Sequence, residues 1–281
     1  MLLTVDIGNT NTVLGLYRMS PAGTETGSET GSELVAHWRV STHKTQTSDE
    51  YGVLFLNLFN MHGIAVGEVK DIIISSVVPP IDSTLRRVCE KYFHCVPLFV
   101  EPGIRTGMPM LIDNPAELGA DRLVNAIAAF ERYGGPCIVV DFGTATTFDV
   151  ISAKGEFCGG VITPGIGIST DALFARAARL TRVDFKRPAK VIGTNTISNL
   201  QSGLFYGYVS QVDGILERIV AELGEKPHII ATGGMAFSIA SDSKFIQQCD
   251  DMLTLEGLRI LHERNRQPRT RSALRGGGKK Q

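Results

Sequence analysis

Two short polar turns in the sequence carry residue types that bind phosphates and metal ions. The first lies in VDIGNTNTVLGLY and follows Asp6, and the second lies in VVDFGTATTFDVI and follows Asp141. Backbone N–H groups of a tight turn that contains glycine converge on an anion, and hydroxyl or amide side chains add hydrogen-bond donors. Two such turns that face each other across a cleft would hold successive phosphates of one nucleotide.

The aspartate in front of each turn indicates a cation. A carboxylate beside phosphates is repelled unless a positive ion lies between them, so Asp6 and Asp141 predict a metal ion bound directly or through water. In the alternative interpretation, each aspartate closes an Asx-turn in an ordinary hairpin. That alternative accounts for a single turn as well as ligand binding does, but two matching turns in one chain favour ligand binding.

The two turns also match each other position by position. Aligned without a gap, they are offset by 135 residues and pair Asp6/Asp141, Gly8/Gly143, Thr10/Ala145, Asn11/Thr146 and Thr12/Thr147. The match predicts an internal duplication in which each half of the chain contributes one turn.

A third segment, PGIRTGMPMLIDNPAELGADRLVNAIAAF (102–130), places charged residues at the start of a predicted apolar helix. Asp121 and Arg122 stand there directly after Gly119 and Ala120. Charged groups at a buried helix start are costly unless they are paired or used. An aspartate in this position is suited to accept a proton from a substrate hydroxyl, and an arginine fork is suited to bind a carboxylate. The alternative is a helix-capping aspartate beside a surface arginine.

A fourth segment, ATGGMA (231–236), follows a predicted strand. Its glycines, Gly233 and Gly234, would let the backbone approach a ligand closely, which favours a place beside the adenosine of a nucleotide. The alternative is a plain strand-to-helix turn. No Walker A loop occurs, because GGGKKQ near the chain end has nothing after it to form a helix. GIGIST is a poor match to a dinucleotide fingerprint and predicts only a flexible turn.

Hydrophobic periodicity predicts that strands and helices alternate in the same order in both halves of the chain. In the first half it predicts strands at 2–7, 13–17, 34–42, 69–80 and 96–100, with helices at 48–63 and around residues 85–92. In the second half it predicts strands at 137–142, 147–152 and 226–236, a third strand and a Gly-rich turn at 155–169, and helices at 170–180 and 195–223. This order predicts an α/β architecture of two lobes, with a ligand cleft between them.

Composition favours a soluble protein of the cytoplasm. The 281 residues are 43% hydrophobic, and no apolar run approaches the roughly 20 residues of a membrane span. We find neither a secretory signal nor a CxxC motif, and five scattered cysteines are typical of reduced thiols. We therefore expect no membrane association.

The net charge of −1 hides an uneven distribution. Residues 264–281 hold seven basic and no acidic residues, so the preceding 263 residues carry a net charge of −8. An acidic globular part argues against nucleic-acid binding, and the basic tail is predicted to be disordered. The Ser/Thr/Gly/Glu-rich stretch at 22–33 is predicted to be a loop.

Taken together, DIGNTNT, GADR, DFGTATTFD and TGGMA resemble, in this order, the motifs of type III pantothenate kinases, which catalyse the first step of coenzyme A synthesis in many bacteria. The resemblance runs from Met1 to about residue 262. It implies two duplicated lobes of the actin/hexokinase/Hsp70-type (ribonuclease H-like) fold with an ATP cleft between them. The corresponding domains are 1–118 and 119–263, followed by the tail at 264–281. The resemblance also implies a homodimer that uses ATP and pantothenate, Mg²⁺ with the ATP, and a monovalent cation, K⁺ or NH₄⁺.

The resemblance assigns roles to individual residues. Asp121 is the base that deprotonates the pantothenate hydroxyl, Asp141 binds the monovalent cation, and Asp6 binds Mg²⁺ directly or through water. ATP phosphates are expected on Asp6, Ile7, Gly8, Asn9, Thr10, Asn11, Thr12, Val13 and Thr144. Pantothenate is expected on Gly119, Ala120, Asp121, Arg122 and Thr196. One departure concerns Ile112, which precedes DNP where the family often has an aromatic residue.

Two rival functions follow from the same residues. Fold does not fix substrate, so another small-molecule kinase or a phosphohydrolase is one rival. A catalytically inactive regulatory or DNA-associated protein that uses the basic tail is the other. The acidic globular part and the presence of Asp6, Asp121 and Asp141 argue against the second rival.

Overall fold

The computed structural model describes residues 1–19, 32–177 and 180–266. Most of the predicted loop at 22–33 lies outside these residues, as does the predicted tail from residue 267 onward. In the described part of the chain, no helix is both long and apolar enough to cross a membrane.

The first half of the chain builds a five-stranded sheet. Its strands are β1 (Leu2–Ile7), β2 (Asn11–Met19), β3 (Ser32–Ser41), β4 (Asp71–Ser76) and β5 (Leu98–Phe99). They lie in the order β3-β2-β1-β4-β5. β2 is antiparallel to β1 and β3, whereas β4 is parallel to β1 and β5 is parallel to β4.

The second half builds a sheet of the same topology. Its strands are β6 (Cys137–Phe142), β7 (Ala145–Ile151), β8 (Phe157–Pro164), β9 (His228–Gly233) and β10 (Gln248–Cys249). They lie in the order β8-β7-β6-β9-β10, with antiparallel and parallel neighbours in the same places as in the first sheet. The predicted internal duplication is therefore confirmed.

Helices cover and join the two sheets. They are α1 (Ser48–Met61), α2 (Asp82–Val88), α3 (Ala120–Tyr133), α4 (Ile166–Arg176), α5 (Thr196–Leu223), α6 (Ala236–Ala240) and α7 (Leu253–Arg266). Local capping fixes where the longer ones begin. Thr47 and Glu50 form a reciprocal capping box in front of α1, and the Asn195 side chain accepts the N–H of Ser198 at the start of α5.

Three apolar clusters hold these layers together. The outer face of the first sheet packs against α1 and α2, and the outer face of the second sheet packs against α5. The third cluster lies between the two sheets and includes residues of α3 and α7. The inner face of each sheet thus points toward this central layer, where the polar ends of β1 and β6 also lie.

α7 brings the end of the described chain back onto the first sheet, where it contacts β1, β2, β4 and α3. Gly257 allows α7 and α3 to approach closely, because a Cβ there would lie 2.2 Å from the carbonyl oxygen of Val124. The helix also shortens the predicted tail. Residues 264–266 complete α7, and the Arg264 guanidinium donates to the Thr106 carbonyl, so these residues are ordered by packing.

The flexible turn predicted for GIGIST is wrong. The segment forms the first turns of α4, which runs from Ile166 to Arg176 rather than over the predicted 170–180. Ile166 is buried in the outer cluster of the second sheet, so an apolar contact that the local sequence does not reveal fixes the helix start. Gly165 in front of it is in close contact with backbone, since a Cβ there would lie 2.3 Å from the Thr144 carbonyl oxygen.

Candidate active site

The two polar turns face each other, as predicted. In the first turn the N–H of Gly8 donates to the carbonyl of Asn11 over 2.9 Å, and in the second the N–H of Gly143 donates to Ala145 over 3.0 Å. The hydroxyl oxygens of Thr10 and Thr144, at the tips, are 3.0 Å apart. The first turn connects β1 to β2, and the second connects β6 to β7. The contact between the two turns marks the cleft between the lobes.

The strand pairings show that the gap-free alignment of the two turns is wrong for the residues that follow Gly8 and Gly143. Ile7 pairs with Thr12 in the first hairpin, whereas Phe142 pairs with Thr146 in the second, so the first turn is one residue longer. The structure therefore makes Thr10 equivalent to Thr144, Asn11 to Ala145 and Thr12 to Thr146. The pairs Thr10/Ala145, Asn11/Thr146 and Thr12/Thr147 are wrong, because hairpin register depends on turn length and not on residue identity.

The segment that follows β3 supports the first turn. The Thr42 hydroxyl donates to the Gly8 carbonyl over 2.8 Å, and the Thr42 N–H donates to the Thr10 carbonyl over 2.9 Å. Lys44 Nζ donates to the Asn9 side chain over 3.1 Å. Sequence analysis did not predict this support, since it depends on how β3 pairs with β2. These contacts hold the backbone of the first turn in one conformation.

Asp6 and Asp141 occupy equivalent places at the ends of β1 and β6. Burial, together with the nearby charge of Asp121, raises the pKa of each carboxyl group to about 7. Asn125 Nδ2 donates to Asp141 Oδ2 over 3.1 Å and lowers its pKa, and Thr254 holds Asn125 in turn. The effect of the Asp121 charge on both carboxyl groups indicates that the three aspartates lie in one poorly solvated region.

These carboxylates fit hard cations. Asp6 Oδ1 is buried and has no hydrogen-bond partner among the described residues. Carboxylate and hydroxyl oxygens are the ligands that Mg²⁺ and K⁺ prefer, and Mg²⁺ usually takes only one or two carboxylates beside the phosphates of its nucleotide. No cluster of three or more metal-ligating side chains occurs in residues 1–19, 32–177 and 180–266. These carboxylate and hydroxyl oxygens therefore suit a metal ion that also takes ligands from a phosphate.

Asp121 lies in the first turn of α3, where its Oδ1 accepts the N–H of Arg122 over 2.8 Å. Burial raises the pKa of this carboxyl group, while the Arg122 N–H and charge act in the opposite direction. Gly119 precedes the helix, and a Cβ there would lie 2.7 Å from Asp121 Oδ1. Gly119 and Ala120 thus leave room for the carboxylate at the helix start, which suits a base that receives a proton.

Arg122 is bound to Asp149, a residue that sequence analysis missed. Arg122 Nε and Nη2 donate to Asp149 Oδ1 over 2.8 Å and 2.5 Å, and the Asp149 side chain is 0% exposed. Burial raises the pKa of Asp149 to about 6 against the lowering effect of Arg122. The signal was an aspartate between two apolar residues, Phe148 and Val150, inside a predicted strand. The pair holds the guanidinium in a fixed orientation at the start of α3.

Gly233 and Gly234 differ in their surroundings. Gly233 ends β9 with a φ of +91°, and a Cβ there would lie 2.6 Å from Asp141 Oδ1. Gly234 is exposed, and a Cβ there would meet nothing within 4 Å. The first glycine is needed for close packing against the aspartate, and the second leaves open space at the cleft edge where an adenosine is predicted.

The remaining predicted residues lie in three different environments. Ile7 is buried in the outer cluster of the first sheet, so only its backbone faces the turn. Ile112 is half-buried in the central layer, near Gly159 of β8. Thr196 begins α5 and lines an apolar groove of about 480 Å³ between α4 and α5, with Leu173, Leu180, Asn199, Leu200, Gly203 and Leu204. Asp121 is not among the groove residues, so the structure does not bring Thr196 and Asp121 together within this groove.

Solved structures with the same architecture come from distant proteins. A Campylobacter jejuni protein described as a Baf family transcriptional activator superposes with a TM-score of 0.54 at 20% identity, covering 94% of this chain and 98% of that one. An activator of 2-hydroxyisocaproyl-CoA dehydratase from Clostridium difficile, solved with bound ADPNP, superposes with a TM-score of 0.52 at 11% identity, covering 97% and 99%. At these identities the similarity shows the fold alone, and it confirms the predicted two-lobed α/β class.

Sequence relatives are far closer. A Koribacter versatilis (strain Ellin345) type III pantothenate kinase is 63% identical over 276 residues, which cover 98% of this chain and 100% of the relative. A type III pantothenate kinase from Anaeromyxobacter dehalogenans (strain 2CP-C) is 55% identical over 266 residues, which cover 95% and 100%. The sequence model of the type III pantothenate kinases matches residues 2–218. The chain, with its duplicated lobes and facing turns, belongs to the type III pantothenate kinase family.

Proposed function

We propose that this protein transfers the terminal phosphate of ATP to the hydroxyl group of pantothenate, the first step of coenzyme A synthesis. The observation that carries the proposal is the meeting of the two turns at Thr10 and Thr144, beside Asp6 and Asp141, whose pKa values the charge of Asp121 raises. Family membership supplies the substrate, because the relatives at 63% and 55% identity are named for pantothenate.

In the proposed mechanism, the turns Asp6–Val13 and Gly143–Ala145 hold the phosphates through their N–H groups and hydroxyls. Asp121 orients the substrate hydroxyl and accepts its proton as the oxygen attacks phosphorus. Its raised pKa improves the match to this role, since a base with a pKa closer to neutrality accepts a proton more readily. Catalysis by the chain then consists mainly of positioning and charge stabilisation.

We assign each cation to a residue whose oxygen atoms could bind it. Asp6, with its unpartnered buried oxygen, would hold Mg²⁺ directly or through water, and Asp141 would hold K⁺ or NH₄⁺. When bound, these ions neutralise the triphosphate beside the carboxylates. Arg122, fixed by Asp149, would present its remaining N–H groups to pantothenate with Gly119 and Ala120, and Thr196 stays a prediction for the same substrate.

ADP release in the presence of pantothenate and ATP tests the function. We expect pantothenate-dependent release that requires Mg²⁺ and increases when K⁺ or NH₄⁺ replaces a large organic cation. A panel of other alcohols, sugars and carboxylic acids separates pantothenate from the substrates of other kinases. ADP release without any acceptor would instead favour a phosphohydrolase, and release with a different acceptor would favour another kinase.

We also propose that the protein acts as a homodimer in the cytoplasm, without nucleic acid or membrane. Free thiols at all five cysteines support a reducing compartment. The groove between α4 and α5 and the exposed Val191, Ile192 and Ile197 beside it form an apolar surface that a second copy would cover. A regulatory role on DNA stays the alternative, and salt-sensitive DNA retention without kinase activity would favour it.

A further inference from the structure

Arg39 of β3 lies in the same cross-strand row as Asp6. Asp6 of β1 pairs with Val13 of β2, and Val13 pairs with Arg39. Side chains directly opposite each other on neighbouring strands point to the same face of a sheet. The adjacent row contains Leu14 and Trp38, which are buried in the outer cluster, whereas Val13 packs against the central layer. Arg39 therefore points with Asp6 toward the second lobe.

The charge of Arg39 acts on both lobes. Its backbone lies two strand spacings, about 10 Å, from that of Asp6, a separation that a long side chain partly spans. The Arg39 charge lowers the pKa of Asp6 and also that of Asp141, which belongs to the second sheet. The strand register and the exposure of Arg39 place its side chain on the cleft side of the first sheet, and the two charge effects agree with that position.

Arg39 is exposed, and it has neither a hydrogen bond nor an ion pair of its side chain within the described ranges 1–19, 32–177 and 180–266. The other cations beside the site already have partners. Arg122 is bound to Asp149, and Lys44 is bound to Asn9. An unpaired guanidinium on the cleft face is available to a ligand.

The second lobe has no counterpart to this group. The equivalent row there runs from Asp141 through Thr147 to Ile162, whose side chain is 61% exposed. Two lobes of the same topology thus carry a cation on one side of the cleft and an apolar residue on the other. The duplicate sheet therefore forms the same row of residues without a cation.

Asp121 and Arg39 act on the same two carboxyl groups. The Asp121 charge raises the pKa of Asp6 and Asp141, and the Arg39 charge lowers both. The transferred phosphate must lie within reach of a hydroxyl held at Asp121, and Arg39 faces the same cleft from the row of Asp6. We therefore place the terminal phosphate of ATP against Arg39. A guanidinium fork matches two oxygens of such a phosphate.

We propose that Arg39 binds the non-bridging oxygens of the terminal phosphate of ATP and stabilises their charge during transfer. This inference rests on the proposed kinase function. A bond forms between the substrate oxygen and the terminal phosphorus, and the bond from that phosphorus to the bridging oxygen breaks. ADP keeps the electron pair of the broken bond, and the hydroxyl proton goes to Asp121. Arg39 donates hydrogen bonds throughout and gives up no proton.

Arg39→Gln and Arg39→Lys test the proposal by calorimetry with two probes, Mg²⁺·ADP and the Mg²⁺ complex of an imido analogue of ATP. In Arg39→Gln we expect affinity for the ATP analogue to fall about 10- to 100-fold, the loss of a charged hydrogen-bonding group. Affinity for ADP should stay within about twofold, because ADP lacks the contacted phosphate. Arg39→Lys should recover part of the affinity, since it keeps the charge without the fork.

Steady-state kinetics supply the second readout. In Arg39→Gln we expect kcat/KM for ATP to fall by at least about 100-fold, with a smaller change in KM for pantothenate. Arg18→Gln is the matched control, because Arg18 is an exposed arginine of the same sheet that pairs with Glu33. Its affinities and kinetics should equal those of the unaltered protein.

Two outcomes would overturn the inference. One is an Arg39→Gln protein that binds the ATP analogue within twofold of the unaltered protein, and the other is an equal loss of affinity for ADP and the analogue. Failure of the kinase function is distinguishable, since it would leave the unaltered protein without pantothenate-dependent ADP release. The difference in affinity between ADP and the ATP analogue would still test the role of Arg39.

Discussion

Asp6 and Asp141 show how the surroundings of a side chain change its chemistry. Burial raises the pKa of each to about 7, although an aspartate ordinarily has a value of 3.8. Each carboxyl group therefore binds a proton more tightly in the folded chain than in the unfolded chain. Their contribution to stability is full below pH 3.8 and is lost as the pH rises through about 7.

This linkage predicts a pH-dependent stability of the protein without ligands. With a chelator present and only a large organic cation, the melting temperature should decrease from about pH 5 to about pH 8. Asp141→Asn should show a smaller decrease, because it removes one of the carboxyl groups whose pKa is raised in the folded chain. Asp251→Asn removes an exposed aspartate and should keep the original dependence. If the melting temperature depended equally on pH in the unaltered protein and in Asp141→Asn, the raised pKa of Asp141 would be contradicted.

Asp121 supports a prediction about turnover. Asp121→Asn keeps an oxygen that accepts the Arg122 N–H but cannot accept the substrate proton. We expect kcat to fall by about 10²- to 10⁴-fold, the usual contribution of a general base, while ATP affinity changes little. ADP release and nucleotide calorimetry measure the two quantities, with Asp251→Asn as control. Turnover near the original rate would show that another group accepts the proton.

The helices and strands position these side chains through close backbone contacts. α3 carries Asp121 at its start and Asn125 one turn later, and Asn125 connects Thr254 of α7 to Asp141 of β6. The packing of α3 against α7 therefore determines where the Asn125 side chain lies relative to Asp141. Gly257 is central to that crossing, since the Val124 carbonyl occupies the place of a side chain.

Replacing this glycine tests the role of the crossing. Gly257→Ala should destabilise the fold by about 1–3 kcal/mol, the cost of overpacking a close contact. Gly207→Ala is the matched control in α5, where a Cβ would meet nothing within 4 Å. It should stabilise the protein by about 0.5–1 kcal/mol, because alanine is the better helix former. Denaturant titration measures both changes, and equal effects would refute the crossing argument.

For the molecule as a whole, exposed apolar residues are distributed differently over the two lobes. The second lobe exposes Ile192 and Ile197 beside the groove between α4 and α5, while the exposed apolar residues of the first lobe include Val53 and Met61 of α1 and, on another segment, Val96. Contiguous exposed apolar surface typically marks an interface, whereas single exposed apolar residues are common. The proposed homodimer would therefore form through the second lobe.

A charged residue introduced into the apolar surface beside the groove between α4 and α5 tests the proposed dimer. Ile197 is 53% exposed, so Ile197→Asp should leave the monomer folded but disfavour burial against a second copy. We expect sedimentation velocity to show a dimer for the unaltered protein and a shift toward monomer for Ile197→Asp. Val96→Asp alters a residue that is 83% exposed and should remain dimeric. A monomeric unaltered protein, or a dimer unaffected by Ile197→Asp, would exclude this interface.

The sequence by itself determined the duplication, the two turns, and the aspartates in front of them. Strand periodicity and glycine-containing turns are local, so neighbouring residues suffice to predict them. The limits of α5, Thr196–Leu223, agree with the predicted 195–223 in the same way, because apolar periodicity and the Asn195 cap are local. Family motifs added the substrate and the expected roles of Asp121 and Thr196.

Tertiary structure alone decided which of these groups meet. The one-residue difference between the turns, the pairing of Arg122 with Asp149, and the position of Arg39 beside Asp6 all depend on strand register. Register is set by hydrogen bonds between segments far apart in the chain, and a shift of one residue turns every side chain to the opposite face. For that reason the residue types were evident beforehand, and their partners were not.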